Sequence, residues 1–212
     1  MLIQRKQRLD DARVRGLIAD HPWATLVVQG QDGLLASHMP AVADPDAAGG
    51  LVILTHTARA DPMAAAIAQG ADILLVFEGE NGFIPGEWSG GPGASTGTWN
   101  FEAVHVRGRP EPLDRDGSLA LLRRTFEHLE SRRERPSQWS DVAATAERIV
   151  GGTYCFRVVV HDVAAKAKLG QGKPREERLR LIAELEVPGP YAQPALARRM
   201  RETLDADADA DG

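Results

Sequence analysis

The segment best equipped for chemistry is Thr55-His56-Thr57-Ala58-Arg59-Ala60-Asp61-Pro62. It is predicted to join the end of a strand to the start of a short helix, capped by Asp61 with Pro62 at the first helical position. A helix start offers free backbone N–H groups and a partial positive charge. Arg59 adds a planar cation that can donate two parallel hydrogen bonds. These groups suit a phosphate, although a capped helix beside a solvated arginine has the same pattern, so both interpretations stay open.

Two further segments combine polar and aromatic side chains. Ala36-Ser37-His38-Met39-Pro40 places His38 at the end of a predicted strand, and Thr98 to Val106 follows a glycine-rich loop over 89–97. The second segment holds an amide at Asn100 beside the Trp99 and Phe101 rings, which the pattern alone would assign to barrel packing. The sequence matches no phosphate-loop, dinucleotide or nucleophile-elbow motif, and its histidines lack metal-ligand spacing. It therefore assigns no catalytic residue and no metal site.

The elements that must position these segments are mostly strands. Hydrophobic alternation and turn residues predict strands over 24–29, 34–38, 51–55, 73–77, 83–88, 99–109 and 153–163. Helices are predicted over 10–20, 61–69, 116–131, 138–149, 174–185 and 194–204, with Ser137 capping the fourth. A turn is expected at Gly79–Gly82. This order favours an antiparallel barrel with peripheral helices, of the mainly β with α class, over a doubly wound α/β fold.

Composition sets the remaining expectations. The chain has 212 residues, 43% of them hydrophobic, and a single cysteine, Cys155, so no disulfide can form within it. No apolar stretch approaches the length of a membrane span or a secretory signal, and a cytoplasmic location is expected.

The predicted divisions are a barrel domain over 1–165, a helical extension over 166–204 and a disordered acidic tail over 205–212. Net charge is −5, so the basic residues in 107–135 and 166–180 are expected to be exposed helix faces, with DNA contact the weaker alternative.

Taken in order, five segments resemble the PaiB family of FMN-binding negative transcriptional regulators, from Met1 to about Leu181. They are Ala36–Pro40, His56–Pro62, Val76–Gly79, Thr98–Gly108 and Lys168–Gln171, the fourth being the most specific. The resemblance implies a split β-barrel related to pyridoxamine-phosphate oxidase, working as a homodimer with FMN in a groove between subunits.

The resemblance also implies a set of cofactor-binding residues. The FMN phosphate would lie at Arg59 and the start of the 61–69 helix, the flavin ring on the strand near Ser37 to Pro40, and Trp99 and Asn100 would come from across the dimer. The full implied set is Ser37, His38, Met39, Pro40, Thr55, His56, Thr57, Ala58, Arg59, Asp61, Trp99, Asn100, Lys168 and Gln171. Asp61 departs from the family pattern, which has asparagine there, and an acid repels a phosphate placed close to it.

Three functions remain open at this point. The resemblance favours an FMN-binding repressor, acting on DNA directly or through a partner. An FMN-dependent oxidoreductase or flavin reductase is the alternative, in which the flavin carries the hydride chemistry. A split-barrel protein of haem use, with His38, His56 or His105 as iron ligand, is the third.

Overall fold

The computed structural model describes residues 1–90 and 96–210, with side chains up to Leu204, so the predicted loop over 89–97 lies mostly outside the described residues. The strands are β1 (Trp23–Gly30), β2 (Gly33–Ala43), β3 (Val52–Ala58), β4 (Ile73–Ile84), β5 (Thr98–Pro112) and β6 (Thr153–Lys168). The helices are α1 (Asp11–Asp20), α2 (Pro62–Ala68), α3 (Arg115–Glu130), α4 (Trp139–Ile149), α5 (Arg175–Glu186) and α6 (Pro194–Ala210).

The strands form one closed barrel in the order β1-β2-β3-β6-β5-β4. β1 and β2 form a hairpin whose register runs from Trp23 opposite Pro40 to Gly30 opposite Gly33. Gly33 has a φ of 129°, which a glycine adopts without strain at such a turn. β1 also pairs with β4, antiparallel, and this pairing closes the barrel. The predicted mainly β with α class and antiparallel barrel are confirmed.

All six strands extend beyond the ranges that the sequence predicted, and β2 runs to Ala43 where residue 38 was the predicted end. β3 continues through Ala58, because the whole of Val52–Ala58 pairs with residues 159 to 153 of β6. β4 is a single strand through Ile84, so the turn predicted at Gly79–Gly82 and the separate strand predicted over 83–88 are both wrong. β6 continues to Lys168. Local sequence could not show these extensions, since a neighbouring strand supplies their hydrogen bonds.

One predicted helix cap is also wrong. Gln138 rather than Ser137 caps α4, and its backbone N–H donates to the Asp141 carboxylate at 3.0 Å. Asp141 is the third residue of α4, and its bond to the backbone of the capping residue is the one that a capping box provides.

The chain divides into two compact units. Unit 1 comprises residues 1–14, 78–104 and 164–212, and unit 2 comprises 15–77 and 105–163. In unit 1, α5 and α6 bury an apolar cluster that includes Ile182, Leu185, Leu196 and Met200. α6 runs to Ala210, so the first six residues of the acidic segment have a helical backbone, while residues 211–212 lie outside the described residues.

Unit 2 has a small cluster under α3, formed by Val42, Leu54, Leu121 and Cys155. Leu121 brings the helix onto the outer side of β3 and β6, where Leu54 and Cys155 lie. Within the described ranges, no helix is long and apolar enough to cross a membrane.

Candidate flavin site

Arg59 is held in a fixed orientation at the end of β3. Its backbone N–H donates to Gly152 O at 2.8 Å, its Nε to Gly151 O at 2.9 Å and its Nη2 to Thr153 O at 3.0 Å. The guanidinium also lies 5.6 Å from the centre of the Tyr154 ring. The side chain is exposed, and these bonds occupy only two of the five N–H donors of a guanidinium. The Nη1 edge is therefore oriented by the protein and open to an outside acceptor.

Asp61 occupies the start of α2. Its Oδ1 accepts from Met63 N at 2.9 Å, and Pro62 has no N–H to offer. The Asp61 carboxylate thus occupies the Met63 N–H, which a phosphate bound at the start of α2 would need as a donor. Its negative charge would also repel the phosphate. A phosphate in this region would depend on Arg59 rather than on the helix.

The predicted residues of β3 point to opposite faces of the strand. Thr55 and Thr57 are fully buried, and Thr55 Oγ1 donates to Pro40 O at 2.8 Å. Thr57 Oγ1 is buried and has no hydrogen-bond partner among the residues that the structure describes. Both hydroxyls are therefore buried and closed to a ligand at the protein surface.

His56 lies on the other face, directly opposite Cys155 of β6. Its Nδ1 is buried without a described partner, and burial lowers the pKa of the imidazole. Burial chiefly raises the pKa of the Cys155 thiol, which is 2% exposed. Both side chains are consequently neutral at pH 7, and Nδ1 is an unmatched polar atom three residues from Arg59.

The residues from Ser37 to Pro40 also alternate between faces. Met39 is buried, while His38 is exposed and stacks on Trp23 with ring centres 6.3 Å apart and planes 18° apart. Trp23 is 63% exposed. Sequence reasoning missed Trp23 because the β1–β2 register, and not proximity in the chain, places it beside His38.

A groove of about 410 Å³ lies between α2 and the β1–β2 hairpin, within the usual size range of ligand pockets. Pro62, which directly follows Asp61, forms part of its wall. The other lining residues are Gln29, Gly30, Gln31, Asp32, Leu35, Ala65, Ala66 and Gln69.

In unit 1, the structure separates Trp99 from Asn100. Trp99 is 52% exposed, packs on Phe83 at 6.1 Å and donates from Nε1 to Asn81 Oδ1 at 3.2 Å. Asn100 is 2% exposed and donates to Met200 Sδ of α6 at 3.5 Å. The two neighbours thus point to opposite faces of β5, and the Asn100 amide is covered by the C-terminal helix.

Gln171 and Lys168 differ as ligand groups. Gln171 uses both ends of its amide inside its own turn, accepting from Leu169 N at 2.9 Å and donating to Ala167 O at 2.8 Å. Lys168 is half-buried and donates to Thr98 Oγ1. Gln171 therefore stabilises the turn after β6 and has its amide occupied there. Lys168 has two further N–H donors that could bind a ligand.

The architecture defines a class of protein, a closed antiparallel six-stranded barrel with helices outside it, and solved structures share this fold. The FAD- and haem-binding protein of Mycobacterium smegmatis matches with a TM-score of 0.62 and 15% identity, covering 82% of this chain and 79% of that one. A flavocytochrome of Azotobacter vinelandii matches with a TM-score of 0.59 and 17% identity, covering 84% and 78%.

Sequence comparison identifies the family. Residues 1–162 match the family described as "Putative FMN-binding domain", and the chain belongs to it. The protease synthase and sporulation protein PAI 2 of Bacillus subtilis (strain 168) is 25% identical over 170 residues, covering 80% of this chain and 81% of that protein. The predicted PaiB-type family and split-barrel fold are confirmed, and FMN is the cofactor that this family membership assigns.

Proposed function

We propose that this protein binds FMN with the phosphate on Arg59 and acts as a cytoplasmic regulator that lowers the expression of target genes. The observation that carries the cofactor placement is the orientation of Arg59, which leaves one edge of an exposed guanidinium without a partner among the residues that the structure describes. The regulatory role is supported by the similarity to PAI 2, which extends over four fifths of both chains.

The chemistry of this region fits a flavin nucleotide. The phosphate of FMN carries roughly two negative charges at neutral pH, and an arginine fork matches two of its oxygens. Two hydrogen bonds from the guanidinium, to Gly151 O and Thr153 O, hold the fork before the ligand arrives, which reduces the entropy lost on binding. The buried His56 Nδ1 offers an additional polar atom on the same segment.

Bound FMN supplies reversible electron and hydride transfer, while the protein supplies binding and orientation. The exposed Trp23 and His38 rings present a flat aromatic surface of the kind that stacks on a flavin ring. The other residues that the resemblance implies, among them Trp99, Asn100, Lys168 and Gln171, stay predictions.

The regulator is proposed to act as a homodimer. On the outer side of the β1–β2 hairpin, Trp23 is 63% exposed and Leu34 is 73% exposed. A second copy of the chain would bury these apolar side chains and add to the stability of the assembly.

The first experiment is a titration of the apoprotein with FMN, followed by flavin absorbance, on the native protein, Arg59→Ala and Arg59→Lys. Arg135→Ala is the matched control, because Arg135 is an exposed arginine far along the chain. Affinity should fall about 10- to 100-fold in Arg59→Ala and less in Arg59→Lys, which keeps the charge and loses the fork. Equal affinity in all four proteins would refute the placement of the phosphate.

The regulatory role is tested by transcript levels in the native host. Deleting the gene should raise the transcripts of its targets, and the native gene should restore repression where the Arg59→Ala gene does not. Steady oxidation of NAD(P)H by the purified protein at an enzyme's rate, with unchanged transcripts, would show a flavin oxidoreductase instead.

A further inference from the structure

The groove between α2 and the β1–β2 hairpin takes no part in the proposed binding of FMN. Its volume is about 410 Å³, and all of its lining residues belong to unit 2. Arg59 is not one of them. We call it the hairpin groove, and its lining divides into an apolar part and a polar part.

The apolar part of the lining is aliphatic. It is formed by Pro62, Ala65 and Ala66 of α2 and by Leu35 of β2. A Cβ on Gly30 would lie 2.9 Å from Leu35 Cδ1, so the missing side chain lets the leucine pack against the backbone of β1. The described lining contains no aromatic ring, and it therefore suits an alkyl chain, whose burial there is favourable.

The polar part of the lining is rich in hydrogen-bond acceptors. It consists of Gln29, Gln31, Asp32 and Gln69. Gln29 Nε2 donates to Gly30 O at 2.9 Å, which fixes the amide and leaves Oε1 as an acceptor for a ligand. The Asp32 carboxylate has no hydrogen-bond or ion-pair partner among the side chains that the structure describes.

The charge of this lining selects a cation. Asp32 is the one charged residue in the described lining, which holds no lysine, arginine or histidine. An anionic ligand would be repelled by the carboxylate and would find no positive partner. A primary ammonium group has three N–H donors and no acceptor, so it can bond to the carboxylate and to glutamine amide oxygens together. Its bond to the carboxylate is charge-assisted and is the strongest of these.

We propose that the hairpin groove binds an aliphatic ammonium compound. The ammonium group lies on Asp32, and the alkyl chain packs against Leu35, Pro62 and Ala65. This site is separate from the one proposed for the FMN phosphate, and its ligand has the opposite charge.

The test titrates the full-length protein with butylammonium at constant ionic strength and follows the backbone amide NMR signals of residues 29–35 and 63–69. The matched probe is 1-butanol, which has the same number of non-hydrogen atoms and no charge. We expect saturable shifts with butylammonium and about tenfold weaker binding of 1-butanol. Equal binding of the two probes, or no saturable binding of butylammonium, overturns the proposal.

Two variants locate the ligand within the groove. Asp32→Asn removes the charge but keeps a residue that favours tight turns, and it should weaken butylammonium binding about tenfold. Ala65→Leu fills the groove from an exposed position of α2 with a good helix former, and should remove the saturable shifts. The matched controls Asp116→Asn and Ala68→Leu change exposed residues outside the lining and should bind as the native protein does. Native affinity in folded Asp32→Asn or Ala65→Leu overturns the proposal.

The same titration is run without FMN and with FMN in excess. Because the groove repels anions and Arg59 lies outside it, FMN should leave the affinity for butylammonium unchanged. Displacement of butylammonium by FMN would show that the groove holds the flavin and would overturn the proposal. The titration without FMN does not depend on the flavin, so failure of the hairpin groove and failure of the Arg59 placement are distinguishable.

Discussion

The guanidinium of Arg59 lies over the ring of Tyr154, 5.6 Å from its centre, while its Nε and Nη2 are bonded to the backbone on either side of Gly152. Residues 95 positions apart in the chain thus fix the one arginine that follows β3. The Tyr154 ring contacts one face of the guanidinium. The carbonyl oxygens of Gly151 and Thr153 fix the orientation of the guanidinium plane.

Replacing Tyr154 should therefore weaken FMN binding indirectly. A cation–π contact at an exposed site contributes about 0.5–1 kcal/mol, so Tyr154→Leu should lower FMN affinity about two- to fivefold. Tyr154→Phe keeps the ring and should bind as the native protein does. Titration of the three proteins by flavin absorbance decides this, and equal affinity of Tyr154→Leu would show that the ring does not orient Arg59.

Asp61→Asn should improve FMN binding. Asparagine caps a helix as well as aspartate does, so the unfolding temperature should hardly change, while the removed charge no longer repels the phosphate. Asp61→Ala removes the same charge but also the bond to Met63 N, and should cost about 0.5–2 kcal/mol of unfolding free energy. Weaker FMN binding by Asp61→Asn would mean that the carboxylate contributes to the site.

The stability of the protein should fall in acid because of Glu102. Burial alone would raise the pKa of this carboxyl, which is 1% exposed, but hydrogen bonds and charge from Arg199 and Arg13 outweigh it and hold the pKa below its usual value. The folded pKa is lowered, so this stabilisation is present above the unfolded value of 4.5 and is lost as pH falls through the folded value.

Urea unfolding at a series of pH values checks this expectation. Glu102→Gln should lose about 1.5–3 kcal/mol of unfolding free energy at pH 7, because Arg13 loses its carboxylate and Arg199 keeps only Glu202, and its stability should depend less on pH below 4.5. An unchanged pH profile in the variant would exclude Glu102 as the source.

Gly108→Ala should destabilise the barrel. A Cβ at this position of β5 would lie 2.5 Å from Val159 O and 2.7 Å from Val158 Cγ1 of β6. β5 and β6 must move apart locally to make room for the Cβ, which should lower the free energy of unfolding by about 1–3 kcal/mol. Thermal unfolding beside Gly189→Ala as control measures the effect, and equal melting temperatures would show that the two strands can move apart freely.

Sequence reasoning predicted the elements that depend on local pattern. The β1–β2 hairpin follows from the Asp32-Gly33 turn, and α2 from Asp61 and Pro62, because each signal lies within a few residues. The continuation of β3 to Ala58 depends on pairing with a strand about 100 residues away, which a local pattern does not contain.

For the candidate site, the sequence supplies residue types but not the arrangement of their side chains. The sequence singled out Arg59, yet its bonds to residues 151 and 153 come from a distant turn. Lys168 was predicted through the resemblance, but its bond to Thr98 Oγ1 joins residues 70 positions apart, which a local pattern does not contain.

The most direct test of the central claim is the ratio of FMN to riboflavin affinity in the native protein and in Arg59→Ala, with Arg135→Ala as control. The two flavins share the ring and differ in the phosphate, so the ratio isolates the contact proposed for Arg59. We predict a strong preference for FMN in the native protein and the control, and a preference reduced about 10- to 100-fold in Arg59→Ala. An equal preference in all three folded proteins would contradict the account.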